Sequence, residues 1–240
     1  MLKKITLIIK YVILSIMAKI TDRPQIQIRH KYIKYLYNYC LGDVARDFNL
    51  PKDLLQQHLK SGIDNPAYRF TRDKAFYIWL DRNRNELKGS SWLDVGADVG
   101  CVSRYLSEYF QSSDMELIDV IKKKNTIFPV KIYDGSTLKY PNDSFDIVIF
   151  SYVLHHAADD TIRLLQDARK IARKFVIILE DNKDTKGDLI WAFRHDKSGT
   201  FRGLKEWRNL FKTIGFNISE DLPLSSEIHS RHFFLLGVNK

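Results

Sequence analysis

The sequence predicts an α/β fold: a mostly parallel sheet of seven strands, closed by a C-terminal antiparallel hairpin and preceded by a helical N-terminal extension. Three observations carry this. From Ser91 onward, short apolar runs alternate with amphipathic helical segments. The runs are apolar throughout rather than at every second residue, which marks strands buried on both faces of a parallel sheet. The last two runs have no helix between them, so they pair antiparallel. With 240 residues, the chain suits one large domain plus an extension and can bury a full core.

The extension, residues 1–65, comes first. In MLKKITLIIKYVILSIMAKI, Ile5, Ile8, Ile9, Val12, Ile13, Ile16, Met17 and Ile20 recur at the spacing of one helix face. Lys3, Lys10 and Lys19 interrupt a run that would otherwise approach the ~20 apolar residues of a membrane span. The segment reads in three ways: a helix packed on the body, a basic amphipathic helix in peripheral contact with a membrane, or a signal peptide. For the last, MLKK fits an n-region, but no small-x-small cleavage site follows cleanly. A short helix, PKDLLQQHLK, starts at Pro51 and ends at Gly62.

Residues 66–240 form the predicted main domain. A helical stretch follows Pro66 and runs to about Leu87, with Gly89 as its stop. WLDV is the first strand, ending in a glycine-containing turn, and VSRYLSEYF is the amphipathic helix after it. MELIDV, FPVKIYD and FDIVIFSYV are the second, third and fourth strands. TIRLLQDARKIAR is a helix with Ile162, Leu164, Leu165, Ala168 and Ile171 on its apolar side. KFVIILED is the fifth strand. GLKEWRNLFKTIG is a helix stopped by Gly215, with Trp207, Leu210 and Phe211 as its core face. FNISED and RHFFLLGV close the sheet.

The charge is uneven. The formal net charge is +9, yet residues 1–40 hold eight Lys and Arg against Asp22 alone. The remainder is close to balanced, which argues against a basic groove for nucleic acid and shifts the expectation toward a membrane surface or a solvated helix. Two cysteines, Cys40 and Cys101, exclude a disulfide framework and a four-cysteine metal site. Reduced thiols and a cytoplasmic location, with peripheral membrane contact through residues 1–20, are the expectation.

WLDVGADVGCVSRYL puts Asp94, Gly96 and Gly100 at the junction of the first strand and its helix. Glycines there let the backbone approach a ligand closely, and a helix N-terminus offers free N–H groups. The dinucleotide fingerprint G-x-G-x-x-G is not met, because its later glycines would fall at Asp98 and Cys101. Asp119 ends the second strand about twenty residues on, where a carboxylate can accept two ribose hydroxyls. Asp134, before Gly135, ends the third strand at the same sheet edge. Three acids at successive strand ends delimit a crevice the size of a nucleoside.

From Ser91 to about Glu180 the chain resembles a class I S-adenosylmethionine-dependent methyltransferase of the type 11 small-domain variety, with a Rossmann-like sheet. The residues that carry the resemblance are the turn from Asp94 to Gly100, DGSTLKYPNDSFD from Asp134 to Asp146, and SYVLHH from Ser151 to His156. The resemblance implies S-adenosyl-L-methionine as cofactor. It implies that Asp94, Gly96 and Gly100 lie under its methionine part, that Asp119 binds the ribose, and that Asp134 and the Gly135 backbone reach the adenine. Ser151 would lie beside the sulfonium. Asp98 departs from the family pattern by replacing the middle glycine; it could cap the following helix or meet the cofactor's ammonium. The Pro-Gly-Gly turn usual before the fifth strand is absent.

Methyl transfer depends mainly on holding donor and nucleophile in line, so a strong base is not required. The candidates for chemistry are His155, His156 and Glu180, at the ends of the fourth and fifth strands, and His195 in the connection WAFRHDKSGTFRG. That connection also carries Trp191, Phe193, Arg194 and Phe201, suited to a planar or anionic acceptor. Adjacent histidines point different ways and have no third ligand placed by the sequence, so no metal is expected. A small-molecule or lipid-like acceptor is the leading expectation. RNA methylation is favoured only by net charge, and no Asn-Pro-Pro-Tyr or Asp-Pro-Pro-Tyr follows the fourth strand. A binding protein without turnover is the third reading, supported by Asp98 and opposed by the intact Asp94, Asp119 and Asp134.

Overall fold

A computed structural model describes residues 73–238 apart from 101, 104–105, 108–111, 113, 124–125, 127, 186–187, 189–198 and 225–229. The readings of residues 1–65 lie outside these described residues. Helix α1 (Lys74–Arg82) is followed by the single turn α2 (Arg84–Leu87). The strands are β1 (Trp92–Val95), β2 (Met115–Asp119), β3 (Lys131–Ile132), β4 (Phe145–Ser151), β5 (Ala172–Asp181), β6 (Asn217–Pro223) and β7 (Arg231–Gly237). Helix α3 (Thr161–Ile171) precedes β5, and α4 (Leu204–Ile214) precedes β6.

The strands form one sheet in the order β3-β2-β1-β4-β5-β7-β6. β1 lies between β2 and β4 and runs parallel to both, and β4 runs parallel to β5. The chain steps outward from β1 to β3, then returns to lay β4 on the other side of β1. That reversal opens a crevice at the carboxyl ends of β1 and β4, the usual ligand position in such sheets. β7 is antiparallel to both of its neighbours, inserted between β5 and β6. A hairpin needs no crossover helix, so the reversed strand can slot in beside β5.

Successive strand residues point to opposite faces. On one face Leu93, Val95, Val148, Phe150, Val176 and Ile178 meet Leu164 and Leu165 of α3 and Trp207 and Phe211 of α4, all buried. On the other, Trp79 of α1 packs edge-on against Phe175 and also meets Phe233, which Phe76 contacts too. Both sheet faces are therefore covered, as the unbroken apolar runs require.

Several boundaries differ from the sequence expectation. The predicted third strand, 128–134, is reduced to two exposed edge residues; Pro129 lacks the N–H that a ladder needs. The fourth strand stops at Ser151, because Tyr152 turns to φ 61°. The helix expected to reach Leu87 breaks at Asn83, whose Nδ2 donates to the Trp79 carbonyl at 2.7 Å. Ile162 is corrected: it is 47% exposed rather than part of the apolar side of α3. Two residues from Leu164 is about 200° around a helix, so Thr161, one turn before Leu164, takes the inward position. Among the described residues no helix is long and apolar enough to cross a membrane.

Candidate active site

The turn after β1 is fixed by its own backbone. Gly96 and Ala97 donate to the Ile118 carbonyl of β2 at 2.8 and 3.0 Å. Gly96 takes φ 72°, and a Cβ there would drive into the Val153 side chain. Gly100 takes φ 88°, with a Cβ position 3.0 Å from Leu117 Cδ2. Both positions need glycine on two counts, the left-handed backbone and the lack of space. Asp98, between them, also takes a left-handed φ of 55°, which Asp tolerates better than most residues.

The acids occupy different environments. Asp94 is buried, and its Oδ2 accepts from the Ser103 hydroxyl at 2.5 Å. Asp119 is 8% exposed. Its Oδ2 accepts the Asp98 N–H at 2.8 Å and its Oδ1 the Ile121 N–H at 2.9 Å, so one carboxylate ties the turn to the segment after β2. Lys123 Nζ of that segment stands 2.5 Å from Asp98 Oδ1. Asp134 is half-exposed and serves its own turn, accepting from Lys139 Nζ at 2.8 Å, Ser136 N–H at 2.9 Å and Thr137 N–H at 3.0 Å. The hydrogen bond from Lys139 and then those two amides hold its carboxyl well below the ordinary range. A Cβ on Gly135 would approach Val120 Cγ1 within 2.9 Å. Val120 and Ile121 are 52% and 60% exposed beside Asp119. Sequence reasoning did not single them out; the available signal was two apolar residues past a strand-end acid, with no helix face to join.

Across the crevice the groups are deeper. Ser151 Oγ, at the end of β4, is buried and has no hydrogen-bond partner among the described residues. Glu180 of β5 is completely buried. Its Oε1 accepts the Val153 and Leu154 N–H groups at 3.0 and 2.7 Å, and its Oε2 lies 2.6 Å from His155 Nδ1. The His155 ring stacks on Phe201 at 4.9 Å, and the His155 carbonyl accepts the Thr200 N–H at 2.6 Å. His156 is exposed, its ring 4.1 Å from that of His155. Asp181 Oδ1 pairs with Arg231 Nε at 2.7 Å, both side chains 7% exposed. The Asn182 side-chain amide, one residue beyond β5, is buried, with neither atom hydrogen-bonded among the described residues.

A family model described as a methyltransferase domain matches residues 68–220. The chain belongs to the methyltransferase-domain family. Solved structures share its fold at low identity. A magnesium protoporphyrin IX methyltransferase from Synechocystis, with bound S-adenosylhomocysteine, is 14% identical, with a TM-score of 0.54, over 82% of this chain and 94% of that one. An S-adenosylmethionine-dependent methyltransferase from Mesorhizobium loti is 15% identical, with a TM-score of 0.54, over 68% of this chain and 97% of that one. Another from Aquifex aeolicus is 13% identical, with a TM-score of 0.52, over 77% and 98%. No curated protein matches the sequence. The class I, Rossmann-like α/β architecture expected from the motifs is the fold of this methyltransferase domain.

Of the residues singled out from sequence, the fold brings Asp94, Gly96, Asp98, Gly100 and Asp119 to one turn and one strand end. It sets Asp134 and Gly135 after β3 at the sheet's edge, and Ser151 at the end of β4, beside β1. His155 and Glu180 are joined to each other, and His156 is left exposed. Arg194 and His195, with Trp191 and Phe193, lie outside the described residues. Trp207 and Phe211 are fully buried, with Leu210 packed partly against them. Among the described residues no cluster of His, Cys, Asp and Glu is arranged to hold a metal ion.

The residues present fit S-adenosylmethionine. A glycine turn without room for side chains opens onto strand-end acids, and the buried Ser151 hydroxyl has no hydrogen-bond partner among the described residues. Each oxygen of Asp119 accepts one backbone N–H, and a carboxylate oxygen has lone pairs for two.

Proposed function

We propose that the chain is an S-adenosylmethionine-dependent methyltransferase whose acceptor is a small or lipid-like molecule. The observation that carries this reading is the Asp119 carboxylate at the end of β2, pinned by two amides yet with capacity left to accept ribose hydroxyls. In this reading Asp94, Gly96, Asp98 and Gly100 cradle the methionine end. Asp119 takes the ribose, and Val120, Ile121 and the Asp134–Gly135 turn flank the adenine. Ser151 lies beside the sulfonium, where its unpaired hydroxyl finds a use. Bound there, the cofactor supplies an electrophilic methyl group.

The chain's own contribution is mainly geometric. Transfer breaks one carbon–sulfur bond, forms one bond from the acceptor atom to the methyl carbon, and releases a proton from the acceptor. Alignment of this kind is worth on the order of 7–11 kcal/mol in favourable cases. His156, the exposed histidine, is our choice to receive the proton, and His195 the second. Glu180 and His155, bonded to each other and buried, act by holding the segment after β4. The concentration of basic residues before position 40, with the rest nearly balanced, supports an acceptor other than a polyanion.

Calorimetric titration with S-adenosylhomocysteine tests the donor half of this reading. The wild-type chain should bind, and Asp119→Ala should weaken binding at least about tenfold, since hydrogen bonds to a charged group are lost. Absence of binding by the wild type would overturn the reading. Labelled S-adenosylmethionine offered to fractionated metabolites, lipids and RNA tests the acceptor half, and label appearing in RNA alone would reject it.

A further inference from the structure

Asn182 stands one residue beyond β5, and both polar atoms of its side chain are buried without a hydrogen-bond partner among the described residues. No other described side chain has two such atoms. A buried amide left unpaired costs its desolvation, and folding returns nothing for it. Leucine, of similar size, would fill the same space without that cost. Stability therefore does not explain an asparagine here.

The backbone around Asn182 is held from both sides. Its N–H donates to the Ser230 carbonyl at 2.9 Å, just before β7, and it pairs with Arg202, just before α4. The next N–H, of Lys183, donates to the Arg202 carbonyl at 3.3 Å. An amide carried on a fixed backbone is preorganised for recognition. Two residues separate it from Glu180, so an extended chain sets both on one face, with Asn182 about 6–7 Å further toward the carboxyl end. Glu180 meets His155, whose ring lies 4.1 Å from that of His156, the residue chosen above to receive the proton.

The neighbouring charges decide what kind of group suits the amide. Glu180 lies against His155 at 2.6 Å, Asp181 against Arg231 at 2.7 Å and Lys183 against Glu206 at 3.0 Å. Arg202 stands over the Trp207 ring at 5.0 Å and donates to Thr161 Oγ1 at 3.4 Å. Each charge beside the amide is engaged, so a charged ligand group would have to break one of these contacts. What is left is a neutral N–H and a neutral carbonyl side by side in one plane. The complement of that edge is another amide.

We propose that Asn182 determines specificity for the methyl acceptor by taking a carboxamide or lactam edge of that molecule, its N–H on Oδ1 and its carbonyl on Nδ2. This rests on the reading above that a small molecule receives the methyl group, and it names the neutral polar group that molecule carries. A buried edge of this kind rejects analogues lacking either half, because its own atoms then go unpaired.

The test uses the full chain, isotopically labelled on nitrogen and saturated with S-adenosylhomocysteine, and three probes of one shape: benzamide, benzoate and acetophenone. The side-chain amide resonances of Asn182 are those missing from Asn182→Leu. Benzamide should move them, and should bind the wild type at least about tenfold more tightly than benzoate or acetophenone. In Asn182→Leu that preference should vanish, and the melting temperature should rise by roughly 2–4 °C as the unpaired amide is lost. Tightest binding by benzoate would give the site to an anion on Arg202. Resonances that benzamide leaves in place would assign the amide to a buried water, and a lower melting temperature for Asn182→Leu would assign it to the fold. Each of these overturns the proposal. Titration with S-adenosylhomocysteine beforehand keeps the two readings apart. A chain that binds it but ignores benzamide loses this inference alone, and one that does not bind it loses the donor reading as well.

Discussion

On the β1–β2–β3 side of the crevice, acids take amides close in sequence, Asp119 from Ile121 two residues on and Asp134 from Ser136 and Thr137 two and three residues on, with the Asp98 amide, 21 residues back, also on Asp119. On the β4–β5–β7 side the partners come from far away. Besides the adjacent Asp181 amide, Glu180 binds groups 25 to 27 residues distant, and Asp181 binds Arg231, 50 residues distant. Exposure follows the division in part: Asp94 and Asp119 are buried, but Asp98 and Asp134 beside them are 31% and 42% exposed, whereas Glu180 is 0% and the Asp181–Arg231 pair 7%. The first side keeps two of its acids, Asp98 and Asp134, where water reaches them. The second has withdrawn its charges and must keep every partner, because an unpaired charge in a low-dielectric interior is costly.

Removing Glu180 is the sharpest way to break this contrast. Glu180→Ala strands the Val153 and Leu154 amides and His155, and should cost about 3–5 kcal/mol in urea unfolding. Glu180→Gln keeps an acceptor for the amides and should cost about 1–3 kcal/mol. An alanine variant with the wild-type midpoint would mean that the buried side is not held by its charges.

On the other side, Gly96→Ala should cost about 1–2 kcal/mol for the left-handed backbone alone, with more from overlap with Val153. Thermal denaturation of Gly96→Ala with and without Val153→Ala separates the two contributions, since only the overlap is relieved by the second change. Full recovery in the double variant would show that backbone conformation is not what glycine supplies there.

The smallest effect concerns pH. Burial pushes His232 below its ordinary value, although Asp221 beside it acts the other way. The folded chain therefore binds this proton less readily than the unfolded chain. Stability is complete above about pH 6.5 and falls as the pH drops through that value, by no more than about 1.4 kcal/mol per pH unit for one proton. The loss levels off below the folded value. His232→Gln should flatten the profile between pH 5 and 7 in denaturant titrations. An unchanged slope would place the titrating group elsewhere. Carboxylates such as Asp146, brought to about 2 against its burial by Arg173 and the Ser91 amide, act in a lower window. There stability is lost as the pH falls through the carboxylate range.

The first side of the crevice was legible because its chemistry is local. A strand, a glycine turn and a strand-end acid twenty residues on are written in consecutive residues, and Asp94, Gly96, Gly100 and Asp119 follow from that pattern. The same pattern left open what Asp98 does, since Lys123 becomes its neighbour only when β2 pairs with β1. The second side was half legible. SYVLHH and the Glu near the end of the fifth strand marked residues that the fold brings together, but which of them pair was hidden. After the backbone reversal at Tyr152, φ 61°, His155 turns inward to Glu180 and His156 stays exposed. Ile162 shows the limit for helices: an apolar residue near a stripe belongs to it only if its angle agrees.

By itself the sequence determined the mostly parallel seven-stranded sheet and its hairpin, since uninterrupted apolar runs constrain a backbone wherever they occur, and its motifs carried the resemblance to the family. Only the tertiary structure decided that β7 inserts between β5 and β6, that Glu180 closes over the segment after β4, and that Lys123 meets Asp98. Those contacts join residues whose separation along the chain carries no periodic signal. They are selected by which strand ends the sheet order brings together, and by the cost of leaving a buried charge without its partner.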